Sequence, residues 1–144
     1  MLQSVLIAPA ASTELDAAPI PSAWIRDGQP EARGRRLATT RDKTTFVSSW
    51  ECTPGVFKWV YSEDEIVYII SGKVFIFTSD GSERCLAAGD VAFFPGGSSC
   101  IWRVTETVRK VAIVRKDLPQ LMGVGVRAWH KLLRVVGIRG QMPL

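Results

Sequence analysis

A chain of 144 residues with 47% hydrophobic residues is large enough for one domain with one buried core, and a charged fraction of 22% is ordinary for a globular protein. These values exclude a disordered or fibrous chain, and the apolar runs are too short to cross a bilayer. The net charge of +4 comes from the tail, because acidic and basic residues balance over the remainder of the chain. Its body therefore offers no basic face of the size that nucleic-acid binding requires.

The cysteines and the N-terminal residues indicate in which cellular compartment the protein is expected. Cys52, Cys85 and Cys100 are odd in number, widely spaced and free of any Cys-x-x-Cys pair, which argues against a disulfide framework and favours a reducing compartment. The first basic residue is Arg26, so the N-terminus lacks the positive leader of a secretory signal. We expect a cytoplasmic protein in which residues 1–21 form a flexible N-terminal extension.

Short strands separated by turn residues are predicted from Trp24 onward. Residues 44–52 are rich in β-branched and aromatic side chains and end at the turn Thr53-Pro54-Gly55. Further strand-like segments lie at 56–61, 65–71, 73–78, 84–87, 91–94, 100–105 and 107–115. Strands at intervals of roughly 8–12 residues with Gly and Pro turns are typical of a sandwich or barrel, so residues 22–117 are predicted to form an all-β domain.

The segment 56–61 alternates in a way that predicts an aromatic face. Side chains on a strand repeat every second residue, so Phe57, Trp59 and Tyr61 are expected to point into the same space.

Residues 118–144 are predicted to form a basic amphipathic helix and tail. Apolar residues recur at helical spacing over 120–136, with basic residues opposite them. The four basic residues of this region are Arg127, Lys131, Arg134 and Arg139. Such a helix covers its own barrel or a partner subunit, or lies on an anionic membrane or another protein. We prefer packing on the barrel or the partner subunit.

Two blocks have the turn spacing of a cupin. The first is Gly55-x3-Trp59-x-Tyr61-x3-Glu65-x6-Gly72, and the second is Gly89-Asp90-x4-Pro95-x-Gly97 followed by Cys100. Around them stand Trp24-Ile25-x2-Gly28-x-Pro30-x-Ala32-Arg33, Trp50-Glu51-Cys52-Thr53-Pro54-Gly55, Trp102 and Val108-Arg109-Lys110. Together these motifs resemble the small cupins related to the ethanolamine-utilisation cupin, to which domains of some ureidoglycine aminohydrolases are also related.

This resemblance implies an RmlC-like jelly-roll barrel, that is, a cupin double-stranded β-helix with a C-terminal α-helix, and a homodimer. Metal-binding cupins carry three histidines at positions that here read Trp59, Tyr61 and Cys100, so that only Glu65 remains. His130 is the only histidine of the chain, so the His-x-His pair of metal-binding cupins is absent. We therefore expect a degenerate site with no cofactor. A divalent transition metal bound by Glu65 and Cys100 is the weaker alternative.

The first functional hypothesis is a small-molecule binding protein whose ligand is polar or anionic. The expected pocket residues are Phe57, Trp59, Tyr61, Glu65, Cys100, Trp102 and Lys110. The alternative for the aromatic residues is that they only fill the barrel. A carboxylate among aromatic rings must be paired, hydrogen bonded or protonated. Glu65 is therefore either the polar anchor for a ligand or a residue held in a structural bond to Tyr61 or Lys110.

The second hypothesis is a metal-independent isomerase or lyase, or an aminohydrolase-like enzyme, acting on a small polar or carboxylate metabolite. Glu65 would be the general acid or base with Tyr61 assisting, and Lys110 or Arg103 would orient an anionic substrate. Cys100 is a possible nucleophile, although a buried inert thiol is the preferred interpretation.

Overall fold

The computed structural model describes residues 4–137, which form nine strands and one α-helix. The strands are β1 (Asp16–Ala17), β2 (Ile25–Asp27), β3 (Ala32–Thr39), β4 (Thr45–Cys52), β5 (Gly55–Val60), β6 (Asp64–Thr78), β7 (Glu83–Ala87), β8 (Val91–Phe94) and β9 (Ser99–Arg115), and the helix is α1 (Gln120–Val135). A single 3₁₀ turn spans Ser22–Trp24. The predicted all-β class with one C-terminal helix is confirmed.

Two long strands, β6 and β9, organise the sheet. They are antiparallel and paired over most of their length, from Asp64 opposite Arg115 to Thr78 opposite Cys100. The first half of β9 also pairs with β5, and its second half pairs with β4. On the far side, β6 pairs with β8 and then with β7. One continuous sheet therefore curls around a single interior.

The curl is concentrated where β6 and β9 both change register. Irregularities interrupt their pairing between Ile69 and Val74, and Gly72 lies within this stretch. Gly72 has a φ of +84° and packs against the backbone of Thr107 on β9. A left-handed conformation at such a close approach favours glycine, which explains why Gly72 separates the predicted strands 65–71 and 73–78.

Alternation along the strands produces the core. On β9 the inward side chains on both sides of the bend are buried, among them Trp102, Val104, Val108 and Ala112. The buried apolar residues of β5 and β6 meet them, with Phe57, Val67 and Ile69 all at 0% exposure. This pattern is that of a sheet whose concave face packs on itself.

The described part of the N-terminal extension is docked on the outside of the barrel, which differs from the flexible segment that we expected. Arg109 donates from Nε to the carbonyl of Ala10 at 3.0 Å and from a terminal nitrogen to the carbonyl of Thr13. β1 pairs with β3, and Leu15 is buried. The extension thus covers the outer face of β4 and β9, because its backbone carbonyls satisfy a guanidinium that is largely buried there.

Helix α1 does not cover its own barrel. None of its residues is buried, and large apolar side chains such as Leu121, Trp129 and Val135 are exposed at 88%, 58% and 79%. The expectation that the helix packs on its own barrel is therefore wrong for the described residues, and Arg139 lies outside them. Among residues 4–137, no helix combines the length and apolar character needed to cross a membrane.

Candidate functional site

The concave face of the sheet opens into a cavity of about 510 Å³. Strands β4, β5, β6 and β9 all contribute inward side chains to its walls. Its lining residues are Ala18, Pro19, Trp24, Phe46, Ser48, Trp50, Trp59, Val60, Tyr61, Ser62, Glu63, Glu65, Lys110, Ala112 and Val114. A concave, mostly apolar space of this size with a few polar groups is typical of a small-molecule site.

A buried ion pair forms part of the cavity wall. Lys110 lies on β9, and Glu65 lies on the neighbouring strand β6. The Nζ atom of Lys110 donates to Oε1 of Glu65 at 2.7 Å, and the two side chains are exposed by only 4% and 12%. Of the two partners expected for Glu65, the structure therefore shows Lys110. Burial of both charges is tolerated because each neutralises the other.

Three indole rings surround the ammonium group of Lys110. Its Nζ atom lies 4.7 Å from the ring centre of Trp50, 4.8 Å from that of Trp102 and 5.9 Å from that of Trp59. The face of an indole carries negative electrostatic potential, so these rings attract the cation that Glu65 also binds. The lysine is thereby held by one carboxylate and an aromatic enclosure.

The expected pocket residues separate into two groups. Phe57 and Trp102 are 0% and 1% exposed and stack with their ring centres 6.1 Å apart. These two residues fill the interior of the barrel, and neither they nor Cys100 line the cavity. Trp59 and Tyr61 do line it, together with the ion pair.

Tyr61 is held at the junction between the core and the cavity. Its hydroxyl accepts a hydrogen bond from Nε1 of Trp102 at 3.0 Å, and its ring stacks on Phe94 with 4.6 Å between ring centres. Burial raises the pKa of the Tyr61 hydroxyl far above its usual range, so the side chain stays a neutral phenol. This arrangement fixes the ring in place.

Cys100 is buried beside Tyr61. Desolvation is the main cause that raises the pKa of the Cys100 thiol, and the hydrogen bond with Tyr61 opposes it. The side chain therefore remains a thiol at neutral pH. Because Cys100 does not line the cavity, the geometry does not bring a thiolate nucleophile to a ligand there.

Trp24 and Trp50 are wall residues that we did not place in the predicted pocket. Trp24 meets Trp59 edge to face with 5.4 Å between ring centres, and Trp50 meets Trp59 at 5.8 Å. Alternation along residues 44–52 contained a signal for Trp50, since it shares a strand face with Phe46 and Ser48, which also line the cavity. Trp24 had no such signal, because it belongs to a 3₁₀ turn that packs against β5.

Arg103 lies outside the cavity, where it pairs with Glu83. Its guanidinium is bound to Glu83 at 2.9 Å and lies over the ring of Phe75 at 4.5 Å. Arg103 does not line the cavity, so it is not placed to orient a ligand there. Of the two residues considered for orienting a substrate, Lys110 or Arg103, only Lys110 lines the cavity. Strand alternation explains this, because Trp102 points inward and its neighbour Arg103 points outward.

Trp59, Tyr61 and Cys100 stand where metal-binding cupins carry histidines, and these three side chains do not suit a transition metal. Trp59 offers no lone pair, Tyr61 is a buried phenol that accepts from Trp102, and Cys100 is a neutral thiol. The carboxylate of Glu65 is already neutralised by the ammonium of Lys110. No group of three or more His, Cys, Asp or Glu side chains in residues 4–137 is arranged to hold a metal ion.

A curled antiparallel sheet with two long bent strands and an inward-facing site defines a cupin. Residues 39–112 match the family of EutQ-like cupin domains, and this chain belongs to that family. The predicted jelly-roll class and the resemblance to the ethanolamine-utilisation branch are both confirmed.

Solved structures of similar fold include a protein assigned as ethanolamine utilization protein Q of Salmonella typhimurium LT2 (TM-score 0.53, 24% identity, 59% of this chain and 69% of that chain). A DUF861-family protein of unknown function from Pseudomonas syringae aligns with a TM-score of 0.65 and 25% identity over 71% of this chain but only 44% of its own. The ectoine synthase of P. lautus has a TM-score of 0.52 and 22% identity over 60% and 65% of the two chains. No curated protein sequence matches this chain.

Proposed function

We propose that this cupin domain binds a small organic molecule in its cavity without a metal ion. The observation that carries the proposal is the Glu65–Lys110 ion pair in the wall of a cavity of about 510 Å³. Indole rings supply apolar contact area, while the ion pair supplies the fixed polar group that orients a ligand. The pair also supplies the positive charge that a cupin metal would otherwise bring to this carboxylate.

The experiment is native mass spectrometry of the purified full chain, followed by a thermal-shift screen of small metabolites. We expect a copurified or added organic ligand at one per chain and no stoichiometric transition metal. Glu65→Gln should abolish the shift, whereas Glu83→Gln should leave it unchanged, because Glu83 pairs with Arg103 on the outside of the barrel. A stoichiometric transition metal that is lost in the Glu65→Gln variant would overturn the proposal.

A second candidate is metal-independent catalysis on the bound molecule, as an isomerase, a lyase or an aminohydrolase-like enzyme. It is favoured by one observation, namely that the Glu65 carboxylate lines the cavity and is held by Lys110 at 2.7 Å, in a position to serve as the general acid or base. Tyr61 would act by positioning, since its hydroxyl is engaged with Trp102. Conversion of the copurified ligand by the wild-type chain distinguishes catalysis from binding alone, and a wild-type chain that binds the ligand and leaves it unchanged would contradict this candidate.

The domain is proposed to form a homodimer through the outer face of β6, β8 and β9. Five large apolar residues are exposed there, and strand register places Ile66 between Phe93 and Ile113, with Tyr68 beside Val91. A contiguous apolar patch of this kind is more typical of an interface than of a monomer surface. The exposed apolar face of α1 is a second surface that the partner subunit would cover.

We also propose a cytoplasmic location. All three cysteines are free thiols, and Cys85 is exposed. An exposed free thiol persists in a reducing compartment and is prone to oxidation outside one. Localisation of a tagged chain by fractionation tests this proposal.

A further inference from the structure

An acceptor atom of the ion pair faces the cavity. Glu65 is 9% exposed, and only its Oε1 atom is hydrogen bonded, to Lys110. Within residues 4–137, no fully buried polar side-chain atom lacks a partner. Since Oε2 has no partner, it is accessible, and the space next to it is the cavity that Glu65 lines. The wall therefore presents a carboxylate oxygen that can accept a hydrogen bond.

Lys110, by contrast, has little capacity to bind an anion. One of its donors is directed to Glu65, and the faces of Trp50 and Trp102 lie within 5 Å of the same ammonium. Its side chain is only 4% exposed. An anionic ligand at this cation would lie beside the Glu65 carboxylate, which would repel it. We expected a polar or anionic ligand from the sequence, and this geometry argues against the anionic class.

The charges of the lining residues also argue against an anionic ligand. Glu63 also lines the cavity, and it makes no hydrogen bond or ion pair within the described residues 4–137. The lining residues thus include two acidic residues, Glu63 and Glu65, and one basic residue, Lys110, which gives a formal charge of −1. Opposite charge lowers the free energy of a bound cation in a partly desolvated site.

Indole rings form part of the cavity wall. Trp24 and Trp59 meet edge to face in the wall, with Trp50 next to them. Such walls favour ammonium groups over neutral groups of the same size. The chain itself illustrates this chemistry, because the ammonium of Lys110 is enclosed by Trp50, Trp59 and Trp102.

From these contacts we infer that the cavity selects a small organic cation, specifically a protonated primary alkylamine. Its ammonium group donates to Oε2 of Glu65, and its alkyl part packs against Trp24 and Trp59. This inference rests on the proposed function and adds the ligand class to it. The Glu65 carboxylate then bridges two ammonium groups, one from the chain and one from the ligand.

The test is isothermal titration of the full chain with n-butylammonium, n-butanol and n-butyrate, which have the same alkyl part but differ in charge. We expect n-butylammonium to bind at least tenfold more tightly than either of the others. Glu63→Gln should weaken it severalfold, and Trp24→Leu should weaken it while leaving the fold intact, since neither side chain is buried in the core. Glu83→Gln is the matched control and should bind as the wild type does.

Tighter binding of n-butyrate than of n-butylammonium would overturn the inference, as would an equal response to all three probes. A neutral or anionic metabolite found in the cavity by native mass spectrometry would also overturn it, while leaving the proposed binding function standing. If neither a probe nor a copurified molecule binds, the binding function and the cation inference fail together.

Discussion

Trp50 and Lys110 are paired across β4 and β9, and this register places the ammonium of Lys110 4.7 Å from the centre of the Trp50 ring. The same ammonium lies 2.7 Å from Glu65 on the other neighbouring strand, β6. Side chains from β4, β6 and β9 thus meet at the ammonium group of Lys110. Stability and the proposed ligand binding therefore depend on the same group of the sheet.

Removal of either partner of the ion pair is expected to be costly. Lys110→Met leaves the Glu65 carboxylate without its cation, and the loss of one partner of a buried pair costs about 3–5 kcal/mol of the free energy of unfolding. Glu83→Gln, which breaks an exposed pair with Arg103, should cost no more than about 1 kcal/mol. Urea denaturation followed by circular dichroism measures both values.

The double variant Glu65→Leu with Lys110→Met is the internal control for that interpretation. Because it leaves no unpaired charge, it should be more stable than Lys110→Met alone. Equal destabilisation of the single and double variants would mean that packing, not charge, determines the loss.

Tyr61→Phe is expected to destabilise the fold through Trp102. The indole Nε1 of Trp102 donates to the Tyr61 hydroxyl in the core, and a buried donor without an acceptor costs about 1–3 kcal/mol. Tyr68 is exposed, so Tyr68→Phe should change the free energy of unfolding by less than about 0.5 kcal/mol. Similar values for the two variants would contradict the buried hydrogen bond.

Gly72→Ala should be much more damaging than Gly81→Ala. Both glycines have positive φ, at +84° and +82°, so an alanine at either position is strained by about 1–2 kcal/mol. An added Cβ at Gly72 would also lie 2.1 Å from the carbonyl oxygen of Thr107, while Gly81 has nothing within 4 Å. Thermal unfolding should show a clearly larger loss for Gly72→Ala, and equal losses would argue against the close approach of β6 and β9.

The three thiols should differ in reactivity. Burial raises the pKa of Cys52 to about 12 and raises that of Cys100, so at pH 8 only about one Cys52 in 10⁴ is a thiolate. Cys85 is exposed. Iodoacetamide at pH 8 should therefore label one cysteine per folded chain and three in denaturant, with the native label lost in Cys85→Ser. Labelling of Cys100 in the folded chain would reopen the nucleophile hypothesis.

The proposed dimer predicts that a charge in the sheet patch separates the subunits. Phe93 is 60% exposed, so Phe93→Lys should leave the fold intact and give a monomer in light scattering at micromolar concentration. Arg41→Glu, in the turn between β3 and β4, should remain a dimer. A wild-type chain that is monomeric at this concentration would contradict the proposed homodimer.

Much of the fold could be predicted because its signals are local. Turn residues separate the strands, and alternation along residues 57–61 correctly placed Phe57, Trp59 and Tyr61 on one face. The family resemblance then pointed to Glu65 and Lys110. Local pattern also predicted α1, since apolar residues at helical spacing are a property of one segment.

The remainder depends on contacts between distant segments. Nothing in residues 8–15 indicates that they dock, because Ala10 and Thr13 are held by their backbone carbonyls, which every residue offers. Residue type does not tell which aromatic residues fill the core and which reach the cavity, since Trp102 is 1% exposed in the core while Trp59 lines the cavity. The sequence left the helix's partner open between its own barrel and a second subunit for a related reason, since an amphipathic pattern specifies a face but not its partner.

The pairing of β9 has a consequence for how the polypeptide acquires its structure. This strand hydrogen bonds to β4, β5 and β6, so neither half of the sheet can be completed while residues 99–115 are still unsynthesised. A nascent chain that ends before them has open strand edges on all three neighbours, and its carboxylate at position 65 has no lysine. Acquisition of the native state is therefore expected to be a late, cooperative and comparatively slow event, for which chaperone protection of the emerging strands matters.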